Sequence, residues 1–242
     1  MDRMIYLSMA GAKATMQRQD TLANNLANVS TVGFRAELAA FRAVPVEGSG
    51  ASTRVYALET TPGYDATPGP ISGTGRNLDV AMKGGAWLAV QGLDGTEAYT
   101  RGGSLDVSAD GTLVTRSGLT VLGDGGPIQV PPNTALGIGS DGTISATGAN
   151  GRSTSVGRLK LVTPETPLTR GDDGLFRTAD GNPADADPAV TLAPASLEGS
   201  NVNPVSAMVS MITNARQFQM QTKLLENADK NDQSANQLLS FS

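Results

Sequence analysis

Residues 5–26, IYLSMAGAKATMQRQDTLANNL, decide how this chain reads. Ile5, Met9, Ala12, Met16, Gln19, Ala23 and Leu26 recur at alternating intervals of four and three, and all but Gln19 are apolar. That recurrence is the seam of a coiled coil. It predicts a helix over 1–29, about 43 Å long at 1.5 Å per residue. Asp2 lies in its first turn, where the helix dipole favours an anion. The other end of the chain repeats the pattern with Val205, Met208, Ile212, Ala215, Phe218, Thr222, Leu225 and Ala228. Asn203 is a good N-cap and Pro204 suits the first helical position, so a second helix is expected from there to about Leu239. A helix with one apolar stripe needs something to cover it. The expected fold is therefore α+β: long N- and C-terminal helices packed together in a coiled-coil-like pair, with a central, mostly antiparallel all-β domain. Both stripes are expected to serve as assembly interfaces, within one chain first and then with neighbouring subunits.

The middle of the chain punctuates itself. The sequence holds 29 Gly and 13 Pro, an excess that fits many turns. Ser30, Thr31 and Gly33 are expected to end the first helix, with Gly33 in the left-handed conformation. Glu37 to Phe41 are read as a brief continuation. The stretch from Val44 to Gly73, with Thr61-Pro62-Gly63 and Thr67-Pro68-Gly69-Pro70, cannot propagate a helix and reads as an extended arm with short strands near Arg54 to Leu58. From Leu78 to Leu192, short β-prone runs such as Trp87 to Val90 and Leu159 to Val162 alternate with Asp-Gly pairs at Asp94, Asp110, Asp124, Asp141, Asp173 and Asp180. Asp-Gly is a strong hairpin signal. Trp87, flanked by apolar residues, reads as β-core. Asp180 to Pro188 is read as a mobile surface loop. The resulting division is 1–35 for the first helix and its end, 36–75 for the arm, 76–196 for the β domain and 197–242 for the second helix.

Composition removes whole classes of chemistry. The chain of 242 residues has no Cys and no His. Disulfides, thiolate metal sites and a Ser-His-Asp triad are thereby excluded. A net charge of −5 argues against a nucleic-acid surface. The Asp-Gly pairs lack the alternating ligands of a calcium loop, and Gly84-Gly85 and Gly123 to Gly126 match no phosphate loop. No cofactor, metal or small-molecule substrate is expected. A carbohydrate-binding β domain would need stacked aromatics, and only 4% of residues are aromatic. An adhesin-like fibre subunit would carry a cleavable signal, and no basic patch followed by an apolar block opens the chain. Asn24, Asn25 and Asn28 crowd a helix end, where Asn has poor propensity. They mark either a fraying end or amides that bond backbone at a joint.

Four ordered blocks then carry a resemblance. Ala23-Asn24-Asn25-Leu26-Ala27-Asn28-Val29-Ser30-Thr31-Val32-Gly33-Phe34-Arg35 resembles the signature of bacterial flagellar rod and hook proteins. Arg76 to Ala81 followed by Gly85 to Val90, then Tyr99 to Gly103 with Asp110-Gly111, then Leu197 to Asn203, are similar to later blocks of the same family. Trp87-Leu88 departs from the paired phenylalanines common there, apolar for apolar. Met1 to Tyr6, Phe34-Arg35-Ala36 and Arg42 to Val46 look more like proximal than distal rod subunits. The resemblance makes Asn24, Asn25, Asn28, Thr31, Gly33 and Phe34 the signature residues. It implies a non-enzymatic subunit of the basal-body rod, in an axial assembly that crosses the periplasm and transmits torque. It implies partnership with other rod proteins, proximal and distal, and with copies of itself. It also implies export through the flagellar type III apparatus without a cleavable signal.

Overall fold

The first helix, α1, spans Asp2–Ala27. It stops because Asn28 turns back on it: the Asn28 backbone N–H donates to Asn24 O at 3.1 Å, and its side-chain amide donates to the same oxygen at 2.9 Å. The second helix, α2, spans Pro204–Ser240. Asn203 caps it, its Oδ1 accepting from the Ser206 N–H at 3.0 Å. The computed structural model describes residues 2–45, 55–59 and 63–240. These fall into two compact units: Met1–Val29, Ala36–Asp65 and Val202–Ser242 make one, Ser30–Arg35 and Ala66–Asn201 the other.

In the helical unit, Glu37–Leu38 pairs antiparallel with Gly63–Tyr64, and Phe41–Pro45 with Val55–Glu59. The expected brief helix over Glu37 to Phe41 is thus replaced by strands. Arg54 and Thr61-Pro62 lie outside the described residues. Small and polar groups take part in the contact between α1 and α2. The Asn214 amide donates to Thr15 O at 2.8 Å and to Gln19 Oε1 at 2.9 Å. A Cβ on Gly11 would stand 3.1 Å from the Gln221 amide, so the absence of a side chain there permits the close approach.

The expected coiled-coil-like α+β fold is corrected by this structure. Among the described residues there are two helices, the N-terminal one the shorter at 26 residues, and the rest is predominantly β, with twenty strands. Most residues of the seams drawn from the sequence are exposed rather than packed in a closed pair. Among the described residues, Ser8, Thr15 and Asn25 are the buried side chains of α1, and Ala207 and Asn214 those of α2. In α1 the buried face lies about one residue, roughly 100°, round the helix from the expected seam. In α2 the expected seam is spaced three more often than four. On a helix of 3.6 residues per turn such a stripe winds about half-way round, so it cannot stay on one face.

The β unit is built of short strands. Its largest sheet is antiparallel with spatial order Leu161–Val162, Trp87–Gln91, Glu97–Thr100, Phe176–Arg177, Thr169–Arg170. A three-stranded sheet joins Ala135–Ile138, Thr143–Thr147 and Ser153–Arg158, with a bulge between Ile144 and Ser145. Val80–Met82 pairs with Leu192–Pro194, and Ile71–Gly73 with Ser196–Glu198. The core comprises Val80, Met82, Leu88, Val90, Leu105, Leu113, Ile144, Leu161 and Leu192, with Trp87 also buried. Turns follow the Asp-Gly pairs: Gly95, Gly111, Gly142, Gly174 and Gly181 all have positive φ. In four of them the aspartate locks the turn by accepting from the backbone N–H two residues on, Asp94 from Thr96, Asp141 from Thr143, Asp173 from Leu175 and Asp180 from Asn182. Residues 180–188, expected to be mobile, are pinned instead. The Ala184 N–H donates to the Tyr99 hydroxyl at 2.6 Å, the Asp187 N–H to Leu161 O at 2.7 Å, and Arg158 to Pro188 O at 2.8 Å.

Candidate assembly site

Two apolar stripes remain open to solvent on the helices. On α1, Tyr6, Met9 and Met16 are more than half exposed. On α2, Val205 is 69% exposed and Met208, Val209, Ile212 and Met220 each above 50%. At 3.6 residues per turn the three on α1 fall within an arc of about 80° and the five on α2 within an arc of about 120°, so each set lies on one face of its helix. Of the expected interface residues, Met9, Met16, Ala23, Val205, Met208, Ile212 and Ala215 are exposed, while Ala12, Leu26, Phe218 and Leu225 are half-buried. Ile5 lies in α1, and its side chain falls outside the described residues. The structure therefore gathers most of the expected seam residues on surfaces that the two helices leave uncovered.

The signature residues divide between the two units. In the helical unit Asn25 is buried, and its side chain imitates a strand partner. Its amide donates to Glu37 O at 2.9 Å, and its Oδ1 accepts from the Glu37 N–H at 2.8 Å. This is the joint reading of the Asn cluster; Asn24 is exposed and Asn28 half-buried. In the β unit Thr31 is exposed, whereas Gly33 and Phe34 are buried. Gly33 does not close α1. It has φ +70°, and a Cβ would fall 2.2 Å from the Arg101 carbonyl carbon, so two independent constraints demand glycine. Its N–H donates to Glu198 O at 2.8 Å.

Behind Gly33 lies a charged network that sequence reasoning missed. The Glu198 side chain is fully buried, and Arg35 and Arg101 are each 2% exposed. Arg101 uses its whole guanidinium. Nε donates to Glu198 Oε2 at 2.9 Å, Nη2 donates to Met82 O at 3.0 Å and to Glu198, and Nη1 donates to Gly84 O and Ala86 O. Burial pushes the Arg101 pKa down, and the Glu198 charge opposes that. Glu198 Oε1 accepts from the Gly69 N–H at 2.9 Å. Arg35 Nη1 lies 2.7 Å from the same Oε1, a charge contact off the line of a hydrogen bond, and its Nε and Nη1 donate to nothing. Two buried cations thus face one buried anion. The signal was present in the motif blocks, since Arg35, Arg101 and Glu198 each sit in one of them. The separation between the blocks hid the pairing.

Elsewhere in the β unit, the Tyr99 hydroxyl donates to Glu97 at 2.9 Å and accepts from Ala184. Burial, helped by the Glu97 side chain, raises its pKa to about 12. Among the described residues no group of three or more acidic side chains is arranged to hold a metal ion.

Three family models match this chain. One described as "Flagella basal body rod protein" covers residues 5–35, "Flagellar hook protein FlgE/F/G D1 domain" covers 81–146, and "Flagellar basal body rod FlgEFG protein C-terminal" covers 193–238. The chain is 48% identical over 252 residues to the flagellar basal-body rod protein FlgF of Salmonella typhimurium strain LT2, with all of both chains covered. The FlgF of Escherichia coli strain K12 is likewise 48% identical over the whole of both chains. The flagellar basal-body rod protein FlgG of Bacillus subtilis strain 168 is 31% identical, covering 94% of this chain and 96% of that one.

Proposed function

Because the chain belongs to the family of flagellar basal-body rod proteins, as a FlgF-type structural subunit of the proximal rod, we propose that its exposed helical stripes are its assembly faces. The observation that carries this is the exposure of Met9 and Met16 on α1 and of Val205, Met208 and Ile212 on α2. Contiguous apolar surface of this kind marks an interaction site. A stripe that docks on a different surface of its neighbour makes a heterologous contact, and heterologous contacts that do not close a ring generate a helical tube.

Rod components, proximal and distal, and further copies of this chain are the partners on this reading. The subunit carries load and performs no catalysis. It binds neither nucleic acid nor a small-molecule substrate. Its place is the basal body, in the part of the rod that spans the periplasm, reached through the type III export apparatus without a cleavable signal. Small polar contacts between α1 and α2, in place of a closed apolar seam, suit a subunit that keeps its apolar surface for its neighbours.

The test is a charge on each stripe. Met16→Asp and Ile212→Asp should abolish swimming and basal-body recovery, because an unpaired carboxylate buried in a packed wall costs several kcal/mol. Gln217→Asp, at an exposed polar position, should be mild. Secretion of each variant is measured alongside, to separate export from assembly. Normal rods from both stripe variants would end this proposal.

A further inference from the structure

The β unit holds a cleft of about 470 Å³ beside the signature loop, walled in part by Phe34, Arg35, Leu119, Phe176, Arg116 and Arg170. Three arginines line it and no aspartate or glutamate does. In a chain of net charge −5 that is a local reversal of sign. Among the described residues no carboxylate forms an ion pair with Arg116 or Arg170. Arg170 stacks its guanidinium 4.7 Å over the Phe34 ring, which orients it, and its Nη1 is buried without an acceptor. Arg35 adds Nε and Nη1, also buried and without hydrogen-bond acceptors, while its one carboxylate neighbour, Glu198, is shared with Arg101. The wall therefore carries more positive charge and more N–H groups than the chain itself satisfies. Buried donors without partners are costly, and a carboxylate is the group that a guanidinium fork fits.

We propose that this cleft receives the acidic turn 180–188 of a second copy of the chain. That segment carries Asp180, Asp185 and Asp187 and no cation. Asp185 is exposed. The bonds from Ala184, Asp187 and Pro188 to the β unit hold the segment in place, so little ordering entropy is lost when it docks. Cleft and turn are different surfaces of one subunit, so the contact is head-to-tail and does not close on itself. The inference rests on the rod reading above, since it requires copies to meet in an assembly. It adds a contact between β units to the one proposed for the helices.

A charge swap in cells whose only copy is the variant tests it. Arg116→Glu and Arg170→Glu on the cleft, and Asp185→Arg on the turn, should each lower basal-body recovery by about tenfold, the scale of one lost interfacial charge pair. Combining Arg116→Glu with Asp185→Arg should return recovery to within about twofold of the unaltered protein. Arg116 is exposed, so its reversal keeps the test readable if Arg170→Glu disturbs the stacking on Phe34. Normal recovery from the cleft variants overturns the proposal. So does a defect from the cleft variants with none from Asp185→Arg, which would assign the cleft to a different rod subunit, and so does a combined variant no better than its parents. If Met16→Asp and Ile212→Asp both assemble normally while the swap behaves as stated, the helical reading fails and this one stands.

Discussion

Replacing Glu198 by Ala should be among the most damaging single changes in the β unit. The side chain is fully buried and faces two guanidinium groups that are themselves 2% exposed. Removing one member of a buried ion pair costs about 3–5 kcal/mol, because the other charge stays buried without compensation. Here two cations lose their counter-charge and the Gly69 N–H loses its acceptor, which places the loss near 5 kcal/mol. At roughly 3 °C per kcal/mol for a domain of this size, the melting temperature should fall by about 15 °C. The assay is thermal melting followed by the fluorescence of Trp87, the one tryptophan of the chain, which is buried in the β unit 5.9 Å from the Arg101 guanidinium. The two arginines should behave differently. Arg101→Met strips donors from Met82, Gly84 and Ala86 and should cost nearly as much as losing Glu198. Arg35→Met gives up a charge contact with Glu198 but also removes the surplus buried cation, whose Nε and Nη1 have no acceptor, and leaves Glu198 bonded to Arg101, so it should change stability by less than about 1 kcal/mol. Equal losses for Arg35→Met and Arg101→Met, or a loss below about 1 kcal/mol for Glu198→Ala, would refute the reasoning.

Other perturbations probe the same framework. Gly33→Ala should lower the melting temperature by about 10 °C or prevent folding, because the new Cβ meets Arg101 backbone that cannot yield; a near-normal melt would contradict that. In acid, the carboxylates of Asp94, Asp141 and Asp180, each held below its ordinary value first by a side-chain hydrogen bond, contribute stability above the unfolded value of about 3.8. That contribution should fade as pH drops below about 4 toward the depressed native values, and Asp141→Asn should flatten the acid limb of the stability curve. In alkali the sign reverses. Tyr99 is held protonated, with a pKa of about 12 against the usual 10, so its contribution is complete below pH 10 and is lost between pH 10 and 12; Tyr99→Phe should remove that alkaline loss while freeing the Ala184 N–H.

Much of the fold was legible wherever one residue type answers one local demand. Asn203-Pro204 announced a helix start because the cap needs a side-chain acceptor and Pro needs no N–H. The Asp-Gly pairs announced turns: at five of the six the Gly takes positive φ, and at four the Asp supplies the carboxylate that a following amide needs. The helical faces were misread because apolar character was taken for burial. Met9, Met16, Val205 and Ile212 are large and apolar but exposed, while Ser8, Thr15 and Asn214 are small or polar and buried. Close helix approach selects small residues, and these large ones stay open to solvent. The Glu198 network was hidden for a different reason. Burial of a charge depends on partners far away in sequence, and no local pattern distinguishes the buried Arg101 from the exposed Arg116. Asn25 was half legible: three asparagines at a helix end signalled something, and the strand edge at Glu37 supplied it.

The central claim is that apolar surface open in the subunit becomes covered in the rod. Methionine oxidation measures this directly, because Met9, Met16, Met208 and Met220 lie on the exposed stripes and Met82 lies in the core. In dilute subunit the four should oxidise rapidly and Met82 slowly. In intact basal bodies the four should slow by at least about tenfold, toward the rate of Met82, as burial removes access to the thioether. Equal oxidation rates for the four in subunit and basal body would mean that the stripes stay wet in the assembly, and the account would be wrong at its base.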